Sequence, residues 1–321
     1  MKRNKLQRLM QHNFGWDVSG LGAYVDEQSQ EIIPALVYQA KTPNLVQVRE
    51  GIKGSQEIKL IDSSITLQAA TSCGRNATGG SVLTDKALAV SPIKVNMNYC
   101  SEDLIDTWGQ LGLPNGVRNQ REALAYEDLI IGHHVAKIAE LNEVLIWQGD
   151  TGSGTANLNK IDGFVKKFDA GSVQDVNSTG ITAYSASNII GILQDVRDAL
   201  PTPVIDGNHK IFVGREVYDL YLRAVTNANL FHYNPINDEN NVVLHGTNTT
   251  IELVHGLTGT NKIYAGNTDL MFIGTDLQSD WDDFSIYYSN ETDNIYVDVK
   301  YRLGVEFVYA DQFKRFVLAA S

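Results

Sequence analysis

Residues 51–97 read GIKGSQEIKLIDSSITLQAATSCGRNATGGSVLTDKALAVSPIKVNM. Apolar residues recur two apart in both halves of this stretch, as they do in half-buried strands. They are Ile58, Leu60, Ile65 and Leu67 in the first half, and Leu88, Val90, Ile93, Val95 and Met97 in the second. Between the halves, residues 72–81 (SCGRNATGGS) are rich in turn formers. The pattern predicts a long two-stranded hairpin with a polar tip.

Such a hairpin cannot bury itself, because an isolated pair of strands is only marginally stable in water. It needs another surface to lie on, and we expect that surface to belong to another copy of the chain. The hairpin residues that we expect to serve assembly are polar and flank its base or occupy its tip. They are Lys53, Lys59, Arg75 and Asn76.

A long helix is predicted after the hairpin, at about residues 119–148. Apolar residues recur there every seven positions, no proline interrupts the segment, and Gly149 marks its end. The heptad residues, which we predict to form the core face of this spine helix, are Leu124, Ile131, Ile138 and Leu145. Val135 and Leu141 are expected to widen the same stripe. At 1.5 Å per residue, the helix is roughly 40 Å long.

The rest of the chain alternates shorter elements. Helices are predicted at 185–200 and 215–226, on either side of a buried strand at 210–213. Residues 295–302 alternate apolar and polar side chains, which predicts a strand with one dry and one wet face. A hairpin, a long helix, a helix–strand–helix unit and late strands together indicate an α+β fold.

Composition excludes several classes of protein. The apolar fraction of 43% and the charged fraction of 20% are typical of a folded soluble protein. The net charge of -12 argues against a protein that grips nucleic acid. Two cysteines, Cys73 and Cys100, favour free thiols in a reducing cytosol over a disulfide framework. Apolar runs long enough to span a bilayer do not occur in the sequence, so we expect no membrane partner.

The first 50 residues are predicted to form an arm without regular periodicity. Its basic residues precede the first acid, Asp17, and no apolar run follows them, so the segment is not a secretory signal. The residues that we expect to serve assembly are the basic Lys2, Arg3, Lys5 and Arg8 and the aromatic anchors Trp16 and Tyr24. The basic cluster is either a solvated tail or a contact for polyanion or an acidic neighbouring subunit.

Motifs that carry chemistry are missing from the sequence. The glycine-rich residues 149–154 follow a helix and lack the Gly-Lys-Ser/Thr of a phosphate loop, so a flexible connection is predicted. His133 and His134 are adjacent, and on a helix they point about 100° apart, which does not suit a shared metal. The acidic residues 280–283 lack the spacing of a calcium loop, which favours a solvated face. We therefore predict no catalytic, cofactor-binding or metal-binding residues.

The order of these parts resembles the major capsid protein of tailed bacteriophages, which has the Hong Kong 97-like fold. The stretches that match the family's habits are residues 100–106, 145–150 with 161–164, 210–218, 263–277 and 302–308. The resemblance covers most of the chain. It implies an N-terminal arm (1–50), an extended hairpin loop (51–98), a peripheral domain with the spine helix (99–180), an axial domain (181–275) and late strands returning to the peripheral domain (276–321).

The resemblance also implies a function. Copies of the chain are expected to form hexamers and pentamers in an icosahedral shell around double-stranded DNA, which is held without sequence-specific binding. The expected partners are portal, scaffold or decoration proteins, with any scaffold encoded separately. The expected location is the virion, assembled in the host bacterial cytoplasm. Self-crosslinking in this family uses a hairpin lysine, but the partner asparagine has no match here, so crosslinks are not predicted.

Two other functions remain open from the sequence. An encapsulin-type compartment, which holds cargo enzymes, would use the same fold. A soluble cytosolic hydrolase with an unrecognised site is the alternative from a different class. The formation of particles, and what those particles contain, would separate the three.

Overall fold

The computed structural model describes residues 40–67, 79–100, 124–177, 179–228, 242–276, 284–289, 291–292 and 294–319, and only the backbone of residues 100, 124–132, 284, 286, 288 and 295. The helices are α1 (Leu124–Gln148), α2 (Phe164–Ala170), α3 (Ile189–Asp198), α4 (Thr202–Ile205) and α5 (Arg215–Asn227). The strands are β1 (Gln47–Arg49), β2 (Ser55–Ile65), β3 (Gly79–Ala89), β4 (Ser91–Cys100), β5 (Gln174–Asp175), β6 (His209–Val213), β7 (Val242–Val243), β8 (Thr250–Leu253), β9 (Lys262–Asn267), β10 (Met271–Thr275), β11 (Phe284–Ser289), β12 (Asn294–Phe307) and β13 (Phe313–Val317).

A five-stranded sheet and helix α1 enclose the first core. The sheet has the order β1-β10-β12-β11, and β4 also pairs with β12. Val297, Val299 and Tyr301 are buried, whereas Lys300 is exposed, so the dry and wet faces of this strand are confirmed. The alternation stops at Leu303, after which every residue to Phe307 is buried, because another part of the chain covers the second face.

The spine helix joins this core through its C-terminal half. Ile138 and Leu145 are buried, as their heptad spacing predicts. Leu141 is 39% exposed, so placing it in the apolar stripe was wrong: it lies on the outer side of the helix. The backbone of Leu124 and Ile131 lies in α1, but their side chains are outside the described part of the chain. Residues 119–123, the start of the predicted helix, are outside it as well.

A six-stranded sheet and helices α3 and α5 enclose the second core. The order is β5-β13-β9-β6-β8-β7, and β6 pairs in parallel with β8. The predicted strand at 210–213 and the predicted helix at 215–226 are both confirmed, as β6 and α5. The helix predicted at 185–200 begins later, at Ile189.

Three strands pair differently from what the sequence suggested. β4 was expected to be the return limb of the hairpin, but it pairs with β12 over ten residues, and the hairpin ends at Ala89. β10 was expected among the axial residues, which contain β6 and β8, but it lies in the other sheet, the five-stranded one. The late strand β13 was expected with the peripheral residues, but it lies in the six-stranded sheet beside β9. Period-two alternation indicates a strand but does not identify its partner.

The glycine-rich connection after α1 is held by hydrogen bonds, contrary to the flexible linker that we expected. Lys166 donates to Asp150 and Asp162, with both Nζ–Oδ1 distances 2.7 Å, and Asp162 also accepts from the backbone N–H and hydroxyl of Thr151. Burial raises the pKa of Asp162, but these hydrogen bonds outweigh it and lower that pKa to about 2. At the same turn, Gly163 donates to the carbonyl oxygen of Gly149 at 2.8 Å, where a side chain at either position would collide with backbone.

Candidate assembly site

The two-stranded arm, which we define as β2 and β3, is the candidate functional site. Its strands pair antiparallel over eleven residues each, from Ser55 opposite Ala89 to Ile65 opposite Gly79. Near the body, Ile58 and Leu88 are 6% and 0% exposed. The outer half is different, because apolar side chains there lie in solvent. They are Ile61 (60% exposed), Ile65 (82%), Val82 (61%) and Leu83 (71%), and Leu67 just beyond β2 is 94% exposed.

The pairing register divides these side chains between two faces. Ile61 lies opposite Leu83, and Ile65 lies four residues along on the same face, since side chains alternate between faces. We call these three residues the outer apolar face. Nearer the body, the same face carries Lys59, whose Nζ lies 2.9 Å from carboxylate oxygens of both Glu57 and Asp85. These two contacts raise the pKa of Lys59, with the Asp85 contribution the larger.

The inner end of the arm has a small core of its own, which we call the arm base. It contains Ile52, Ile58, Leu88, Val90, Phe272 and Val308, all buried. Two glycines let the arm lie directly on the sheet. A Cβ at Gly304 would lie 2.0 Å from the carbonyl oxygen of Ala89, and one at Gly274 would lie 2.8 Å from Cγ1 of Val90. The arm base is therefore the part of the chain that covers the second face of β12.

Polar contacts fix the arm just outside its base. Lys86 of β3 lies 3.1 Å from Oε1 of the buried Glu306, donates to the carbonyl oxygen of Phe307 at 2.6 Å, and sits 3.9 Å from the centre of the Phe307 ring. Glu306 also binds Lys167 of α2 at 2.8 Å. On the other strand, the hydroxyl of Tyr309 bonds both the N–H and the carbonyl oxygen of Ile61, at 3.2 and 3.1 Å.

A second fixing point lies where the N-terminal arm meets the body, at residues that we call the N-terminal clasp, Lys41 and Thr42. Glu143 of α1 is buried and accepts from the backbone N–H of Thr42 at 3.0 Å and from its hydroxyl at 2.5 Å. Burial raises the pKa of Glu143, although both hydrogen bonds favour its charged form. Trp147 donates from Nε1 to the Thr42 hydroxyl at 2.7 Å.

The clasp also reaches the second core. Lys41 lies 2.9 Å and Lys210 lies 2.7 Å from the carboxylate of the buried Glu252 on β8. Burial alone raises the pKa of Glu252, but the hydrogen bonds from the two lysines outweigh it, so the pKa is lowered. The end of the predicted N-terminal arm is thus part of the folded body, and residues 47–49 form strand β1 of the sheet.

Only some of the predicted assembly residues fall on described parts of the chain. Lys53 and Lys59 are exposed at the inner end of the arm. The predicted residues Arg75 and Asn76, and the N-terminal Lys2, Arg3, Lys5, Arg8, Trp16 and Tyr24, lie outside the described residues, as do Cys73 and residues 280–283. Sequence reasoning did not identify Lys86, Glu306 and Tyr309. The apolar alternation on both sides of Glu306 was visible, but a glutamate in a strand is normally read as solvent-facing.

Histidines and acidic groups show no metal chemistry within the described residues. No group of three or more His, Cys, Asp or Glu side chains converges there on a common point. His134 bonds the hydroxyl of Tyr99 and stacks on its ring. Burial, and then the neighbouring His133, lower the pKa of His134. Among the described helices, none is long and apolar enough to cross a membrane.

Comparisons with known proteins show which solved structures have a similar fold. Neither a protein-family model nor a curated protein sequence matches the chain. Among solved structures, a chain of the satellite phage P4 procapsid, which includes the size determination (Sid) protein, matches with a TM-score of 0.56 at 11% identity, over 91% of this chain and 99% of that one. A chain from Gordonia phage Cozz matches with a TM-score of 0.57 at 11% identity, over 87% and 86%.

A third structure, of a virus-like particle from Pyrococcus furiosus, matches with a TM-score of 0.51 at 10% identity, over 91% of this chain and 98% of that one. All three matches span nearly the whole chain, so they concern its overall architecture and not a single motif. The chain therefore has the mixed helix and sheet fold of bacteriophage capsid proteins, and the resemblance drawn from its sequence is confirmed at the level of the fold.

Proposed function

We propose that the chain is the major capsid protein of a tailed bacteriophage and builds an icosahedral shell around DNA. The observation that carries this proposal is the arm. Its outer apolar face is exposed by 60% to 82% on a two-stranded ribbon, and such a surface marks a site of protein association. On a capsid fold, the natural cover for this face is a second copy of the chain.

The proposed architecture is that of the Hong Kong 97-like fold. The five-stranded sheet with α1 corresponds to the peripheral domain, and the six-stranded sheet with α3 and α5 corresponds to the axial domain. Residues 1–50 correspond to the N-terminal arm, whose last residues join the body through the clasp and β1. Residues 51–98 correspond to the extended loop, with β4 anchoring the end of that loop in the peripheral sheet. The assembly residues that we propose are Lys53, Lys59, Arg75 and Asn76 in the loop, and Lys2, Arg3, Lys5, Arg8, Trp16 and Tyr24 in the N-terminal arm.

In this role the chain works by association and not by catalysis. Hexamers and pentamers would be held by many modest interfaces, whose effects multiply in a closed shell. The net charge of -12 suits a container, because a strongly positive lining would hold packaged DNA tightly everywhere. Portal, scaffold or decoration proteins are the further partners, and the virion, assembled in the bacterial cytoplasm, is the location.

An encapsulin-type compartment is the second candidate. The match to the virus-like particle from Pyrococcus furiosus favours it, because a shell of either kind can use this fold. A hydrolase is favoured less by the described residues. In the surface depression beside α5, Asp219 is paired with Arg215 at 2.9 Å and Glu216 accepts from the backbone N–H of Gly259, so both carboxylates there already have partners.

Expression of the full chain, followed by velocity sedimentation and electron microscopy, tests the proposal. We expect closed particles, and particles made during phage infection should contain double-stranded DNA. Deletion of residues 71–82 should leave a folded chain or capsomer that does not close into shells. A chain that stays monomeric at all concentrations would contradict the shell function. Particles filled with an enzyme and free of DNA would favour the encapsulin-type compartment.

A further inference from the structure

We propose that the arm is held in its observed posture by a releasable latch, made of Tyr309 with Ile61 and Lys86 with Glu306, and that the arm pivots on its base when the latch opens. The latch is a property of the single chain. Its use, to turn the outer apolar face toward or away from a neighbouring copy, rests on the proposed shell function.

The first half of the latch is Tyr309. Its backbone has a φ of 57°, in the left-handed region that residues other than glycine rarely occupy. In this conformation its hydroxyl meets the N–H and the carbonyl oxygen of Ile61, as a neighbouring strand would. Both groups of Ile61 point away from β3 and toward the edge of the arm, where water can replace the hydroxyl. This contact can therefore open without breaking the β2–β3 ladder.

The second half is the ion pair between Lys86 and Glu306. Removing one partner from a buried ion pair normally leaves an uncompensated charge, which strongly opposes separation. Glu306 avoids this penalty, because Lys167 binds its Oε2 at 2.8 Å and the N–H of Phe307 donates to its Oε1 at 3.1 Å. Lys86 is 32% exposed and can become fully hydrated as it leaves. The second lysine thus makes release of the arm far less unfavourable.

The arm base supplies the pivot. Leu88 and Ile52 are 0% and 5% exposed, and the close contacts at Gly304 and Gly274 keep them against the sheet. Two backbone hydrogen bonds lie at the same place. The N–H of Ile52 donates to the carbonyl oxygen of Thr275 at 3.1 Å and ties the arm to β10, and the N–H of Val90 donates to that of Gly54 at 2.9 Å and joins the two limbs of the arm at its base. Both contacts lie on the body side of the latch, so they remain closed while the latch opens.

Amide hydrogen exchange on the full chain, kept dilute and unassembled, tests the latch. The N–H of Ile61 reports latch opening, and the N–H groups of Ile52 and Val90 report the base. Lys86→Met should raise the exchange rate of Ile61 roughly fivefold, because one latch contact is gone. Lys167→Met should lower it by a similar factor, because opening then strands the Glu306 charge. Lys137→Met, which alters an exposed lysine paired with Glu140 on α1 and away from the arm, is the control and should leave the exchange rate of Ile61 unchanged.

The two lysine variants should change the exchange rate of Ile61 in opposite directions, and this distinguishes a latch from simple stabilisation. If both Lys86→Met and Lys167→Met accelerate Ile61 exchange, Glu306 is only a structural ion pair and the proposal is wrong. It is also wrong if Ile52 and Val90 exchange in step with Ile61, since the arm would then unfold and not pivot. If Lys86→Met does not fold, Lys86→Gln is used in its place. None of these results depends on shell formation, so a failure here is separate from a failure of the proposed function.

Discussion

The carboxylate of Glu143 receives both polar hydrogens of Thr42, at 3.0 Å from the backbone nitrogen and 2.5 Å from the hydroxyl oxygen. The spine helix is thereby fastened to the start of the folded body through a buried charge with no lysine or arginine among its hydrogen-bond donors described here. Glu252, the other acid that the N-terminal clasp contacts, lies beside two lysines, Lys41 and Lys210. The two acids consequently respond to pH in opposite directions.

Lowering the pH should stabilise the native state through protonation of Glu143. Burial raises its pKa in the folded chain above that in the unfolded chain, so the native state takes up a proton first as the pH falls. The free energy of unfolding of the wild type, relative to Glu143→Gln, should therefore rise as the pH falls from 7 toward 4.5, the ordinary pKa of a glutamate. Urea denaturation of both proteins at each pH measures this difference. A difference that falls with decreasing pH would mean that Glu143 is stabilised as the charged form.

The contact between Gly304 and the arm base should tolerate no side chain. Gly304→Ala places a Cβ 2.0 Å from the carbonyl oxygen of Ala89, and the backbone must shift to relieve this overlap. We expect a loss of about 2–4 kcal/mol in the free energy of unfolding. Gly191→Ala is the control, because nothing lies within 4 Å of its added Cβ on helix α3. It should stabilise the chain by up to about 1 kcal/mol, and equal effects at the two positions would refute the close contact.

The core face of the spine helix can be tested with charge. Ile138→Asp buries an unpaired carboxylate at a site that is 6% exposed, which should cost several kcal/mol and yield insoluble protein. We expect the same of Ile131→Asp from its heptad position. Leu141→Asp, on the same helix at a site that is 39% exposed, should remain soluble. Soluble expression and circular dichroism compare the three variants, and a soluble Ile138→Asp that assembles normally would contradict the assigned face.

The outer apolar face should matter for assembly and not for folding. Leu83→Ser removes a side chain that is 71% exposed, so the unfolding free energy should change by less than about 0.5 kcal/mol. If a neighbouring copy covers this face in the proposed shell, however, the same change removes buried apolar area at every such interface. We expect the concentration needed for particle formation to rise at least several-fold, as measured by sedimentation. Thr84→Ala, on the opposite face of the arm, is the control, and normal assembly of Leu83→Ser would exclude this face from the interface.

The sequence predicted elements better than it predicted their partners. The heptads of α1 and the alternation in β12 report burial directly, so Ile138, Leu145 and Val297 were placed correctly. The partner of β4 was not, because Ile93, Val95 and Met97 would alternate in the same way against any strand. The latch was missed for a related reason. The burial of Glu306 depends on Lys86 and Lys167, which lie 220 and 139 residues away, and local pattern carries no information about such contacts.

Gly304 and Gly274 illustrate a second limit. Each is needed because another strand crosses it closely, and only the three-dimensional structure shows that crossing. By contrast, Gly149 and Gly163 belonged to stretches that already resembled a known family. The backbone nitrogen of Gly163 lies 2.8 Å from the carbonyl oxygen of Gly149, and this close approach is a physical reason for glycine at both positions.

The direct continuation of β3 into β4 determines how the chain would withstand mechanical force. Val90 alone separates the two strands, and β4 is then paired with β12 from Ser91 opposite Leu303 to Cys100 opposite Asn294. Ladder hydrogen bonds run perpendicular to the strands, so tension along β4 strains many of them together in shear instead of breaking them one at a time. A neighbouring subunit or internal pressure that pulled on the arm would therefore meet the resistance of the entire ladder, and the arm should bend before it is torn from the body.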